Sequence, residues 1–156
     1  MESIIRDLLL IAPLHMTNDL VFLIMRWQLL WNLHKKDSLV SKKLFGTHRT
    51  WLGMGVIFAL NTIFYLLFTG RLLLLPGIGV VVGVHASSFI KRSLRIREGR
   101  ALPGLDQLDF VIGGIAGLAL SEIYLSNLYL MLAISFAVHL ASNMAVYAIG
   151  MKEVWW

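Results

Sequence analysis

Three runs of the chain, 50–70, 72–90 and 123–151, carry no charged residue over 21, 19 and 29 positions. A helix needs about 20 mostly apolar residues to cross a bilayer, so each run predicts one span. The run Phe110–Ser121 is shorter, but the Leu105–Asp109 turn before it extends it to spanning length. A further apolar stretch, Leu8–Leu33, is interrupted by Asn18, Asp19 and Arg26. The pattern predicts five transmembrane helices, near 5–27, 51–70, 72–90, 106–123 and 128–149.

Composition agrees with that pattern. The chain has 156 residues, 58% hydrophobic and 15% charged, against about 45–50% and about 25% in soluble domains. Mean hydropathy is +0.74. A soluble domain of this size could not hide so much apolar surface, which excludes a cytosolic enzyme and a disordered chain alike. The expected fold class is all-α, a polytopic integral membrane protein forming one domain over 1–156. The absence of cysteine excludes disulfides, thiolate nucleophiles and cysteine-ligated zinc. The acidic start Met1-Glu2-Ser3 does not resemble a secretory signal peptide.

Charge placement orients the bundle. Arg26, Lys35, Lys36, Lys42, Lys43 and Arg49 fall in or beside the first loop. Lys91, Arg92, Arg95, Arg97 and Arg100 fall in the third, and Lys152 in the tail. That places 12 of 14 basic residues on one side, with Arg6 and Arg71 on the other. Cytoplasmic loops are the basic ones, so the amino terminus is expected outside and the carboxy terminus inside. The tryptophans Trp27, Trp31, Trp51, Trp155 and Trp156 lie near the same basic face, as an interfacial belt would. The basic charge thus follows membrane topology, and no nucleic-acid partner is expected. Gly113, Gly114 and Gly117, with Gly53 and Gly55, are expected to permit close helix approach.

Candidate chemistry concentrates in Ser88-Phe89-Ile90-Lys91-Arg92 and Pro103-Gly104-Leu105-Asp106-Gln107-Leu108-Asp109-Phe110. If the third span continues as a helix into the basic loop, Ser88, Lys91 and Arg92 share a face. Asp106 and Asp109 share a face at the start of the fourth. Two carboxylates with substrate phosphates make a natural magnesium site. The alternative is capping, with Asp106 at the N-cap and Asp109 at N3.

These residues carry a resemblance. The run SFIKR…PGLDQLDF resembles the membrane cytidylyltransferases that make CDP-archaeol, relatives of the CDP-diacylglycerol synthases. Leu44-Phe45-Gly46-Thr47-His48-Arg49-Thr50-Trp51-Leu52-Gly53 is similar to that family's LFGxxKTWRG loop. The series His139, Asn143, Tyr147, Gly150, Lys152 and Trp156 is similar to its HLxxNxxAYxxGxKxxPW terminus, and Leu14–Leu20 matches more loosely. The resemblance implies transfer of cytidylyl from CTP to a lipid phosphate, in phospholipid biosynthesis at the cytoplasmic face of the cell membrane. It implies Mg²⁺ on Asp106 and Asp109, and Lys91 and Arg92 as catalytic cations. Ser88, Lys43, His48, Arg49, Asn18, His139 and Asn143 are implied as substrate-binding residues.

The chain also departs from the family pattern. Val84 stands where the family has Asp, Arg49 where Lys is usual, and Leu52 where Arg is usual. The alternative function is therefore a non-catalytic homologue that binds lipid phosphate or nucleotide. Asn18 and Asp19 should avoid lipid. His139 and Asn143 suit either a helix–helix hydrogen bond or a substrate contact. His85 lies next to the lost acid, where it could serve as a ligand or be structural. A transporter would want paired polar groups at the midplane, and the strongest cluster lies at one face instead. A homodimer is left open.

Overall fold

The computed structural model describes residues 1–26, 39–45, 49–96, 100 and 102–151. Among them are six helices: α1 (Glu2–Arg26), α2 (Lys42–Phe45), α3 (Trp51–Thr69), α4 (Leu75–Ser93), α5 (Leu105–Leu120) and α6 (Leu128–Ala148). The described residues contain no strand, only an isolated antiparallel bridge between Leu39 and Thr50. The long helices coincide with the five apolar segments, and α2 is an addition within the first basic loop.

Local chemistry sets the helix ends. The Thr50 side chain accepts a hydrogen bond from the Gly53 N–H at 3.1 Å and caps α3. Gly70, at φ 65°, closes α3 in a left-handed conformation that favours glycine. The third apolar run starts at residue 72, yet α4 begins at Leu75, because Pro76 belongs in a first turn. At its other end α4 passes the apolar run and continues to Ser93, so Lys91 and Arg92 sit in its last turn. The fourth segment stops at Leu120 and gives way to a turn in which Glu122 adopts φ 59°.

Among the described residues, three helical segments are long and apolar enough to cross a membrane: Glu2–Ile24, Trp51–Thr69 and Leu128–Ala148. At 16 residues, α5 is about 24 Å long, short of a hydrocarbon core of about 30 Å. It instead packs backbone to backbone on α4. A Cβ placed on Gly79 would collide with the Gly113 carbonyl, and one on Gly83 with the Asp109 carbonyl. Gly55 has nothing within 4 Å of where its Cβ would be, so it mediates no such approach.

The core joins α1, α3, α4 and α5 through Leu10, Leu14, Tyr65, Val80, Val84, Phe110, Val111 and Leu118. Polar bonds run through the same interface. Tyr65 donates to the Leu10 carbonyl at 2.8 Å, and Asn61 donates to Thr17 Oγ1 at 3.1 Å. At one end of the bundle, buried Asp7 accepts from the Asn127 N–H at 2.8 Å while Arg6 donates to Ser126 Oγ at 2.6 Å. These bonds fasten the start of α1 to the turn before α6. The opposite end is left to α2, the end of α4 and the start of α5.

Candidate functional site

The last two turns of α4 and the first turn of α5 meet at that opposite end. The close approach at Gly83 lays the first turn of α5 against α4, which places Asp109 beside buried Ser87. Ser87 donates its hydroxyl hydrogen to Asp109 Oδ2. The other Asp109 oxygen accepts from the Phe110 N–H at 2.6 Å. One turn earlier, Asp106 Oδ1 pairs with Lys91 Nζ at 2.8 Å, and Oδ2 accepts from the Leu102 N–H at 3.0 Å. These side chains are 15% exposed for Lys91 and 22% for Asp106, sheltered but within reach of solvent.

Arg49 reaches the same site from the first loop, where its Nε donates to Ser88 Oγ at 3.0 Å. Burial lowers the guanidinium's pKa below its ordinary value, while the charges of Asp109 and Asp106 oppose that shift. Arg49 is thus electrostatically linked to both carboxylates without bonding to either. Of the residues singled out in the sequence, Ser88, Lys91, Arg49, Asp106 and Asp109 are brought together at this end. Arg92 is half-buried at the end of α4 and makes no ion pair with either acid among the described residues. Lys43 is exposed on α2, and His48 lies outside the described residues.

Capping takes a different form from the sequence expectation. Gly104 is the N-cap of α5, and its N–H donates to Gln107 Oε1 at 2.6 Å. Gln107 fills the return half of a capping box, so Asp109 is not used for that purpose. Ser87 and Gln107 are the two site residues that sequence reasoning missed. The only available signals were the tandem Ser87-Ser88 one turn before Lys91, and a glutamine three residues after Gly104.

His85 points elsewhere. Its Nδ1–H donates to the Val81 carbonyl at 2.7 Å, and its ring meets Phe45 edge-on at 5.1 Å. Val84 is buried in the apolar core, and its carbonyl accepts from Ser88 at 3.1 Å. No acid therefore stands on the α4 side of the site. Two hard oxygen donors one turn apart suit a magnesium ion completed by phosphate oxygens. Among the described residues, no group of three or more histidines or acids could hold a metal ion unaided.

The remaining candidates form a second location. Asn18, Asp19, Phe22, His139, Ser142 and Asn143 line a cavity of about 370 Å³ between α1 and α6. Asn18 Nδ2 lies 3.5 Å from His139 Nδ1 and donates to Asp19 Oδ1 at 3.3 Å. Phe110 connects the two locations, since it follows Asp109 in the chain and packs on His139 with ring centroids 5.4 Å apart.

An all-helical bundle with three membrane-length apolar helices, and an acidic pair matched by buried-edge cations at one end, defines a helical membrane protein with a polar terminal site. The chain belongs to the CDP-archaeol synthase family. The family's CarS-like model matches residues 52–156. A CDP-archaeol synthase of Aeropyrum pernix is 35% identical over 126 residues, covering 74% of this chain and 72% of the relative. One from Methanocaldococcus jannaschii is 42% identical over 80 residues, covering 51% of this chain and 45% of the relative. One from Thermofilum pendens is 28% identical over 171 aligned positions, covering 99% and 82%. The chain thus spans about half the length of some curated relatives and most of others. No solved structure matches it.

Proposed function

We propose that this chain transfers the cytidylyl group of CTP to a membrane lipid phosphate, of the archaeol phosphate or phosphatidate kind. The products are a CDP-lipid and pyrophosphate, within phospholipid biosynthesis. The observation that carries the reading is the placement of Asp106 and Asp109 beside Lys91 and Arg49 in a member of this family. In the reaction, a lipid phosphate oxygen attacks the α-phosphorus of CTP. A new P–O bond forms as the bond from the α-phosphorus to the bridging oxygen breaks, and pyrophosphate leaves with that oxygen. Phosphoryl-type transfer depends on positioning and on neutralising developing charge. Lys91 and Arg49 neutralise phosphate oxygens, with Arg92 at the rim, and Ser88 fixes the Arg49 guanidinium. Asp106 and Asp109 would hold Mg²⁺, which supplies further neutralisation of the triphosphate.

The membrane arrangement belongs to the same reading. In this reading the residues flanking α5 extend it to a fifth pass, which would put α2 and the 102–104 turn at one end and the 71–74 and 121–127 turns at the other. The Arg6–Ser126 and Asp7–Asn127 bonds support the second grouping, and Arg49–Ser88 and Lys91–Asp106 support the first. With the amino terminus outside, the carboxylate site faces the cytoplasm, where CTP is available. The α1–α6 cavity, with Asn18, His139 and Asn143, lies on the route by which a lipid phosphate would approach from the bilayer.

The second reading is a homologue that binds nucleotide or lipid phosphate without turnover. The apolar burial of Val84 favours it, because α4 then offers no acid to the site. The decisive assay gives the purified protein radiolabelled CTP, Mg²⁺ and a lipid phosphate, and resolves CDP-lipid by chromatography. Product that disappears in Asp106→Asn and Asp109→Asn supports transfer. CTP retention without product from either lipid class supports the binding-only reading.

A further inference from the structure

Both carboxylates of the site are occupied by the protein itself. Asp106 divides its oxygens between Lys91 at 2.8 Å and the Leu102 N–H at 3.0 Å. Asp109 divides its oxygens between Ser87 and the Phe110 N–H, with the Arg49 charge nearby. Two acids therefore face two cations, and the local charge is close to balanced. On the α4 side, Val84 is buried in the apolar core and adds no acid that would tip that balance. The described residues offer no third histidine or acid to complete a metal site.

A bare divalent ion would have to displace the Lys91 ammonium from Asp106 and would gain only two carboxylates in return. Nucleotide phosphate changes both conditions. It offers Lys91 a replacement anion, and it brings the oxygens that Mg²⁺-type coordination requires. We infer that Lys91 is the resting counter-ion of Asp106 and hands it over only when phosphate takes the ammonium. The carboxylate pair therefore takes up its divalent ion together with the nucleotide and not before it. This rests on the cytidylyltransferase reading of the site. It assigns Lys91 two successive partners and makes it a positioning residue for Asp106 as well as a phosphate ligand.

The test is equilibrium dialysis of the full chain in detergent against Mn²⁺ and radiolabelled CTP, allowing for Mn²⁺ held by CTP in solution. Protein-bound Mn²⁺ affinity is expected to rise about tenfold or more when CTP is present, and CTP affinity by the same factor with Mn²⁺, because coupling is reciprocal. In Lys91→Gln, Asp106 loses its counter-ion, so affinity for Mn²⁺ alone should rise while the enhancement by CTP shrinks. Lys91→Arg keeps the charge and should leave binding of Mn²⁺ alone as weak as in the wild type, which separates charge from folding damage. Equal Mn²⁺ affinity with and without CTP in the wild type overturns the inference and leaves the cytidylyltransferase reading standing. Unchanged affinity for Mn²⁺ alone in Lys91→Gln also overturns it. Failure to retain CTP under any condition overturns the cytidylyltransferase reading, and the inference with it.

Discussion

Ser87 on α4 donates its hydroxyl to Asp109 on α5, and this bond joins the two helices at the level of the candidate site. Both partners are sheltered, Ser87 fully so, and the second Asp109 oxygen is held by the Phe110 N–H. The carboxylate thus has a fixed orientation before any ligand binds. Truncation to Ser87→Ala would leave one oxygen of a sheltered carboxylate unpaired, which typically costs about 1–3 kcal/mol. The expected outcome is a lower thermal midpoint in detergent, with kcat for CDP-lipid formation falling more than KM for CTP rises. An unchanged kcat would reduce the bond to a structural tie.

The α4–α5 approach yields a paired prediction. A methyl group on Gly79 would meet the Gly113 carbonyl, and backbone cannot move aside as a flexible side chain can. Gly79→Ala should therefore separate the helices, at the cost of about 1–3 kcal/mol that overpacking usually brings, and should weaken CTP binding by displacing Asp109 from Ser87. Gly55→Ala is the matched control, because open space surrounds that position. It should be neutral, or stabilising by up to about 1 kcal/mol through helix propensity. Melting curves of the two variants give the comparison directly.

Much of this organisation was legible in the sequence. The apolar runs located every long helix because water-to-lipid transfer acts on the local sequence, and the charged segments marked the connections. The ends were read less well. Pro76 moved the start of α4 to Leu75, and the Ser121-Glu122 turn ended α5 at Leu120. The acids and cations of the site were legible because they interrupt or border apolar runs. Ser87 and Gln107 were not, since a small hydroxyl within an apolar helix and a glutamine beside two aspartates carry no signal until the partner helix is placed. His85 shows the converse limit. Adjacent to Val84 in sequence, it turns about 100° around the helix from it and meets Phe45 instead of the carboxylates.

Membrane orientation can be read with cysteines, because the chain has none of its own. Single cysteines at Lys42 or Arg100 should resist impermeant thiol reagents in intact cells and react after permeabilisation. A cysteine at Arg71 or Tyr124, both exposed at the other end, should react in intact cells. The reverse pattern would place the carboxylate site outside, away from CTP, and would rule out the proposed reaction.

Val84→Asp tests whether the lost acid limits the chemistry. The side chain belongs to the core with Val80 and Phe110, so a carboxylate there would leave an apolar neighbourhood for a costly charge. On insertion scales, an unpaired acid at a helix centre costs about 2.5–3.5 kcal/mol. The variant should therefore melt earlier than the wild type when metal is withheld. Position 84 lies one turn before Ser88 and two before Lys91, on the face that meets α5. A carboxylate reaching toward Asp109 would add a third oxygen ligand and remove the near balance of charge at the site. Mg²⁺ should then restore much of the lost stability, and the metal concentration giving half-maximal CDP-lipid formation should fall. A variant that is destabilised equally with and without Mg²⁺ would show that residue 84 cannot reach the carboxylate pair. In that case the apolar wall at Val84 is a feature of the core alone.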